Sequence, residues 1–196
     1  MKEMRLPYSL DSIKVMQIAK GVFLCPYDGY QIMNFAETDE KMLDLLMSDD
    51  IKEYLPGLPI FTGTPTSKYL QLLPSKVELG LGIPYAIRIG NGLAGFVYLD
   101  SPLFNRQIGL DEWTLDFFLF EVFRGQNIMQ RALARLLAAA KMDLNIHKLY
   151  ASVSKKNTKS IRILESFYFE YVQEDPSGEG SFYCCDLDTI NFRSDR

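Results

Sequence analysis

Three residue types are nearly absent from this chain of 196 residues, which holds one histidine, one tryptophan and three cysteines. A single His147 cannot build a histidine-rich metal site, and no Cys-x-x-Cys spacing occurs. Neither residue type points to a metal site. Cys184 and Cys185 are adjacent, and neighbours on a strand point to opposite faces. With Cys25 they read as small apolar fillers rather than a disulfide framework. The expected interior is reduced and free of metal. Long apolar runs are missing too: Phe117–Phe120 and Leu136–Ala140 are far too short to span a bilayer. Met1 to Pro7 carries no apolar core of signal-peptide length. The expectation is a cytoplasmic protein without a membrane partner. Basic excess is also lacking, with 21 Lys and Arg against 25 Asp and Glu. A net charge of −4 argues against a nucleic-acid partner.

What is present is core material, since 47% of residues are hydrophobic and 13% aromatic. That suits one domain over 1–196, with 1–20 as an N-terminal extension. Ser9 to Ile18 reads as a weak helix capped by Ser9, and Val22 to Pro26 as a first strand. Thr38 to Met47 reads as a helix, the Pro- and Gly-rich stretch 56–65 as an irregular loop, and Ser67 to Leu79 as a helix bent or broken at Pro74. Tyr85, Ile87 and Ile89 alternate with Ala86 and Arg88, and Gly90-Asn91-Gly92 predicts a tight turn into a partner strand, Leu93 to Leu99. Phe169–Val172 and Ser181–Leu187, joined by a turn at Asp175 to Gly178, predict a closing antiparallel hairpin.

The informative segment lies between these. Leu115 to Phe120 is β-rich, and Ile128, Ala132, Leu136 and Ala140 form an i,i+4 row beside Met129, Leu133 and Leu137. A strand therefore enters an amphipathic helix through Arg124-Gly125-Gln126-Asn127-Ile128-Met129. A glycine-bearing turn at a helix start turns unpaired N–H groups outward, where the helix dipole favours negative charge. That is a backbone site for a pyrophosphate. Beyond it Leu149, Ala151 and Val153 alternate as a strand, and Asn157 caps a helix carrying Ile161, Leu164 and Phe167.

Two stretches, LFEVFRGQNIMQRAL at 119–133 and SVSKKNTKSIRILESFYFEYV at 152–172, make the chain similar to the GNAT superfamily of CoA-dependent N-acetyltransferases. Within it the chain resembles the branch of ribosomal-protein N-terminal acetyltransferases. The resemblance implies an α/β (α+β) fold with a mixed, mainly antiparallel sheet, helices on its flanks and a splayed central strand pair. It implies a cofactor-binding core at 115–169 and acetyl-CoA as co-substrate, with no metal. Leu119, Phe120 and Glu121 would offer backbone to the pantetheine arm and the oxyanion. Arg124, Gly125, Gln126, Asn127, Ile128 and Met129 would cradle the diphosphate, and Asn157 would hydrogen-bond the arm. Lys155, Lys156, Lys159 and Arg162 would suit the 3′-phosphate. Ser160, three residues after the Asn, would protonate the leaving thiolate, since Leu164 stands where many relatives carry Tyr. Asp116, or Glu112 before it, would take the amine proton. Asn127, Met129 and Tyr168 depart from the family pattern of small residues.

The implied reaction is direct acetyl transfer to a primary amine: a protein N-terminus, a small amine or an aminoglycoside-like drug. Asp111, Glu112, Asp116 and Glu121 would attract a cationic acceptor, and segments 54–80 and 100–112 would shape its specificity. A monomer or homodimer is expected. A CoA-binding module that has lost catalysis, or a phosphate-binding regulator, remains an alternative.

Overall fold

The computed structural model describes residues 6–106, 109–175 and 177–190. Met1 to Arg5 and Pro176, on which parts of the leader and turn expectations fall, lie outside the described residues. Eight strands form one sheet: β1 (Met16–Ala19), β2 (Val22–Pro26), β3 (Gly82–Ile89), β4 (Gly92–Asp100), β5 (Trp113–Leu119), β6 (Lys148–Ser154), β7 (Glu170–Glu174) and β8 (Gly180–Asp186). Their order is β1-β2-β3-β4-β5-β6-β8-β7. Every neighbouring pair is antiparallel except β5 and β6, which run parallel. This is the mixed, mainly antiparallel α/β architecture that the sequence implies.

Strands β3 and β4 are buried along almost their whole length, because both faces of the sheet are covered. On one face Tyr85, Ile87, Val97, Leu99 and Leu115 meet α5 (Ile128–Met142), whose Ala132, Leu133, Leu136, Leu137 and Ala140 are all inaccessible to solvent. On the other, Phe96, Tyr98 and Phe118 meet Leu43 of α1 (Gly29–Leu46) and Tyr69, Leu70 and Leu73 of α3 (Thr66–Glu78). Burying one such apolar side chain stabilises by roughly 1.5–3 kcal/mol.

Four expectations change. The stretch from Ser9 to Ile18 is a short 3-10 turn, Leu10–Ser12, followed by β1. Tyr8 anchors it by donating to Val77 O at 2.9 Å and Gly82 O at 3.1 Å, and β1 covers the polar edge of β2. Helix α1 starts nine residues before Thr38, capped by Asp28, whose Oδ1 accepts from Gln31 N at 3.2 Å. Helix α3 continues through Pro74, held to the sheet by the residues named above. Stretches read as loop or given no element gain order as well: α2 (Asp49–Tyr54), a 3-10 turn at Pro59–Thr62, and α4 (Pro102–Asn105). The remaining helix is α6 (Thr158–Ser166).

A buried cluster ties α1 to the sheet. Arg88, 3% exposed, donates to Asp39 Oδ1 and Oδ2 at 2.9 and 2.7 Å and to Gln31 Oε1 at 2.6 Å. Tyr27 donates to Asp39 Oδ2 at 2.8 Å. Both charges are fully partnered, as burial requires.

Candidate active site

The parallel pair β5–β6 is registered at just two positions, Trp113 with Leu149 and Thr114 with Tyr150. Past them the strands part, and a cleft of about 410 Å³ opens between Leu115–Leu119 and Ala151–Ser154. The back of β5 is held tightly. A Cβ on Gly95 would stand 2.2 Å from Phe118 O and 2.9 Å from Leu119 Cα, so this glycine permits the close approach of β4 and β5. Phe120 N donates to Ala94 O at 3.0 Å. By the alternation of an antiparallel ladder, the peptide groups of Phe117 and Leu119 then face the cleft.

At the head of the cleft the chain makes a 3-10 turn, Glu121–Phe123, and enters α5 through two left-handed residues, Gly125 (φ 75°) and Asn127 (φ 56°, ψ 19°). Among the described residues, the N–H groups of Gly125, Gln126, Asn127, Ile128, Met129 and Gln130 have no hydrogen-bond acceptor. Nothing lies within 4 Å of where a Gly125 Cβ would be. A run of free amides beside open space, at the positive end of a helix of 15 residues, fits a diphosphate.

Nine of the thirteen residues singled out from the sequence for catalysis or for the cofactor's arm and diphosphate line this cleft: Asp116, Leu119, Arg124, Gly125, Asn127, Ile128, Met129, Asn157 and Ser160. Glu112 and three others do not. Phe120 is wholly buried on the opposite face, and its N–H is already committed to Ala94. Glu121 is exposed, and the exposed Gln126 directs its side chain back to Val122 O at 3.4 Å. Arg124 lines the cleft, but its guanidinium is engaged. Nε donates to Leu119 O at 2.9 Å and Nη1 pairs with Asp50. Of the four basic residues, Lys156 and Lys159 line the cleft, Lys155 pairs with Glu174, and Arg162 is absent from the lining.

Asp116 sits half-buried on β5, opposite Tyr98 of β4. Burial raises its carboxyl pKa to about 7, with Asp100 adding to the rise and Lys76 opposing it. Asp100 itself is bound by Lys76 Nζ at 2.6 Å. A carboxyl poised near neutrality can hold and release a proton at working pH. Asn157 caps α6 through Oδ1, which accepts from Ser160 N at 3.1 Å. That bond places the Ser160 hydroxyl on the first turn, at the cleft wall. Leu164, one turn on, also lines the wall.

Asp50, Ile51, Tyr54 and Leu55 complete the lining from α2. Sequence reasoning missed them, although Ser48-Asp49-Asp50 ahead of Ile51 carries a helix-start signal. Burial raises the pKa of Asp50, but hydrogen bonds from Arg124 and Ser48 outweigh it and hold the carboxyl below its ordinary value.

Residues 32–170 match the family model described as an acetyltransferase (GNAT) domain. The chain belongs to the GNAT acetyltransferase family. No curated protein sequence matches it. Among solved structures, it is similar to an apo RimL ribosomal L7/L12 α-N-protein acetyltransferase, at TM-score 0.68 and 17% identity over 89% of this chain and 94% of that one. A ribosomal-protein-S5-alanine acetyltransferase from Vibrio fischeri gives 0.65 and 15% over 91% and 99%. RimL in complex with coenzyme A gives 0.64 and 16% over 90% and 100%. Of the three departures from the expected pattern of small residues, Asn127 and Tyr168 adopt positive φ, at 56° and 62°, the backbone region that favours glycine.

Proposed function

We propose that this chain transfers an acetyl group from acetyl-CoA to a primary amine, at a protein N-terminus or on a small molecule. The observation that carries the reading is the row of acceptor-free amides at Gly125 and Asn127 to Gln130, which line the head of the β5–β6 cleft. Those amides would hold the diphosphate, with Lys156 and Lys159 near the 3′-phosphate. The cleft-facing peptide of Phe117 and the N–H of Leu119, whose carbonyl is taken by Arg124, would pair with the pantetheine arm and aim the thioester. The amine nitrogen attacks the thioester carbon, so a C–N bond forms as the C–S bond breaks. Asp116 takes the proton lost by the amine, Ser160 supplies one to the departing thiolate, and a cleft-facing N–H meets the oxyanion. Names of the structural relatives support a peptide N-terminus as acceptor. The reading takes 1–196 as one domain acting in the cytoplasm.

A CoA-binding module without catalysis is the second reading, favoured by Leu164, an apolar wall residue where many relatives carry a phenol. Free-thiol release from acetyl-CoA across a panel of N-terminal peptides and small amines separates the two. Turnover with one class of amine is expected. Saturable CoA binding with no thiol release on any of them would favour the second reading.

A further inference from the structure

The Arg124–Asp50 pair stands at the head of the cleft, and both residues belong to its lining. Their side chains remain 30% and 41% exposed, so water screens the contact and a competitor can reach it. Asp50 also accepts from Ser48 Oγ, which keeps its carboxylate in the first turn of α2. A diphosphate on the amides of Gly125 to Gln130 would set negative charge against Asp50. It would also offer the guanidinium a stronger, bidentate partner. Both effects push Asp50 off. The Nε bond to Leu119 O leaves the guanidinium at the turn while Nη1 changes partner. Asp50 carries α2 with it, and Ile51, Tyr54 and Leu55 line the same cleft.

We infer that the Arg124–Asp50 pair is a latch, holding α2 across the cleft until the diphosphate of the cofactor takes over the guanidinium. The wall that meets the acceptor then settles after the cofactor is in place. This rests on the reading that CoA occupies the cleft.

Calorimetric titration of CoA into the wild type, Asp50→Asn, Arg124→Gln and the double variant tests it. Asp50→Asn should bind CoA roughly fivefold tighter, the effect of one partly screened charge, and Arg124→Gln should bind it more weakly. In the Arg124→Gln background, the gain from Asp50→Asn should shrink, because only the repulsion between carboxylate and diphosphate is left to relieve. Amide exchange in Asp49–Tyr54 should rise on adding CoA to the wild type and already be high in Asp50→Asn. Equal affinity in wild type and Asp50→Asn overturns the latch and leaves the CoA site standing. So does a gain that is undiminished without Arg124. No CoA binding by any of the four overturns both.

Discussion

Asn127 and Tyr168 hold the same left-handed backbone, at φ 56° and 62°, where α5 begins and where α6 gives way to β7. The conformation belongs to the fold, and each residue bears it at a different cost. Asparagine tolerates it by local hydrogen bonding, whereas a bulky aromatic residue does so under strain.

Tyr168 is 70% exposed, so replacing it loses little packing. Tyr168→Gly should raise stability by about 1 kcal/mol, read as a higher urea midpoint. Asn127→Val should lower stability by about 1–2 kcal/mol. Asn127→Gly should leave the fold intact. A lower midpoint for Tyr168→Gly would show that its phenol, not its backbone, matters.

Asp116 yields a pH signature. Its carboxyl is raised in the folded state to about 7, from an unfolded value of 3.8. Its contribution to stability is therefore complete below the unfolded value and is lost as pH climbs through the folded one. Wild type should thus lose stability between those limits, and Asp116→Asn should lose less. As the base, Asp116 should make kcat/KM rise about tenfold per pH unit below the folded value and level off above it. Asp100→Asn removes the neighbouring acid that helps raise it, so the rising limb should move to lower pH. A pH–rate profile unchanged in Asp116→Asn would exclude the role.

Ser160 and Asn157 separate chemistry from capping. Ser160→Ala should lower kcat by roughly 100-fold while CoA affinity, measured by titration, stays put. Asn157→Ala removes the cap on α6 and should cost about 1 kcal/mol of stability. Equal turnover in Ser160→Ala would leave the hydroxyl as a plain first-turn group.

The buried cluster around Asp39 is a stability determinant far from the cleft. Asp39→Ala would leave the Arg88 guanidinium without a counter-charge, with Gln31, the Asn91 carbonyl at 3.4 Å and the face of the Phe35 ring as its remaining partners. A loss of about 3–5 kcal/mol is expected, seen in chemical denaturation. A smaller loss would mean that water reaches Arg88.

Much of this arrangement is legible in the sequence because local rules and tertiary need agree there. Gly90-Asn91-Gly92 makes its hairpin, the Ile128–Ala140 row faces the sheet, and Asn157 caps α6. Where those diverge, reading fails. The first turns of α1 bury Gln31, and its middle buries Asp39. Its inward face is therefore partly polar, and an apolar periodicity is hard to find before Thr38. The signal that did exist was Asp28 with Gln31 three positions on, a capping box. Strand β1 has four residues and one buried side chain, too little alternation to distinguish it from a helix. Asp50 and Arg124 meet across 74 positions of chain, a pairing that no local pattern encodes.

Gly95 sits behind the β5–β6 cleft and leaves no room for even a methyl group against β5. The seating of β5, which forms one wall of the cleft, is thus fixed from the rear by a residue outside the lining. A designer seeking a new amine should redraw α2 and leave that tight strand seam alone.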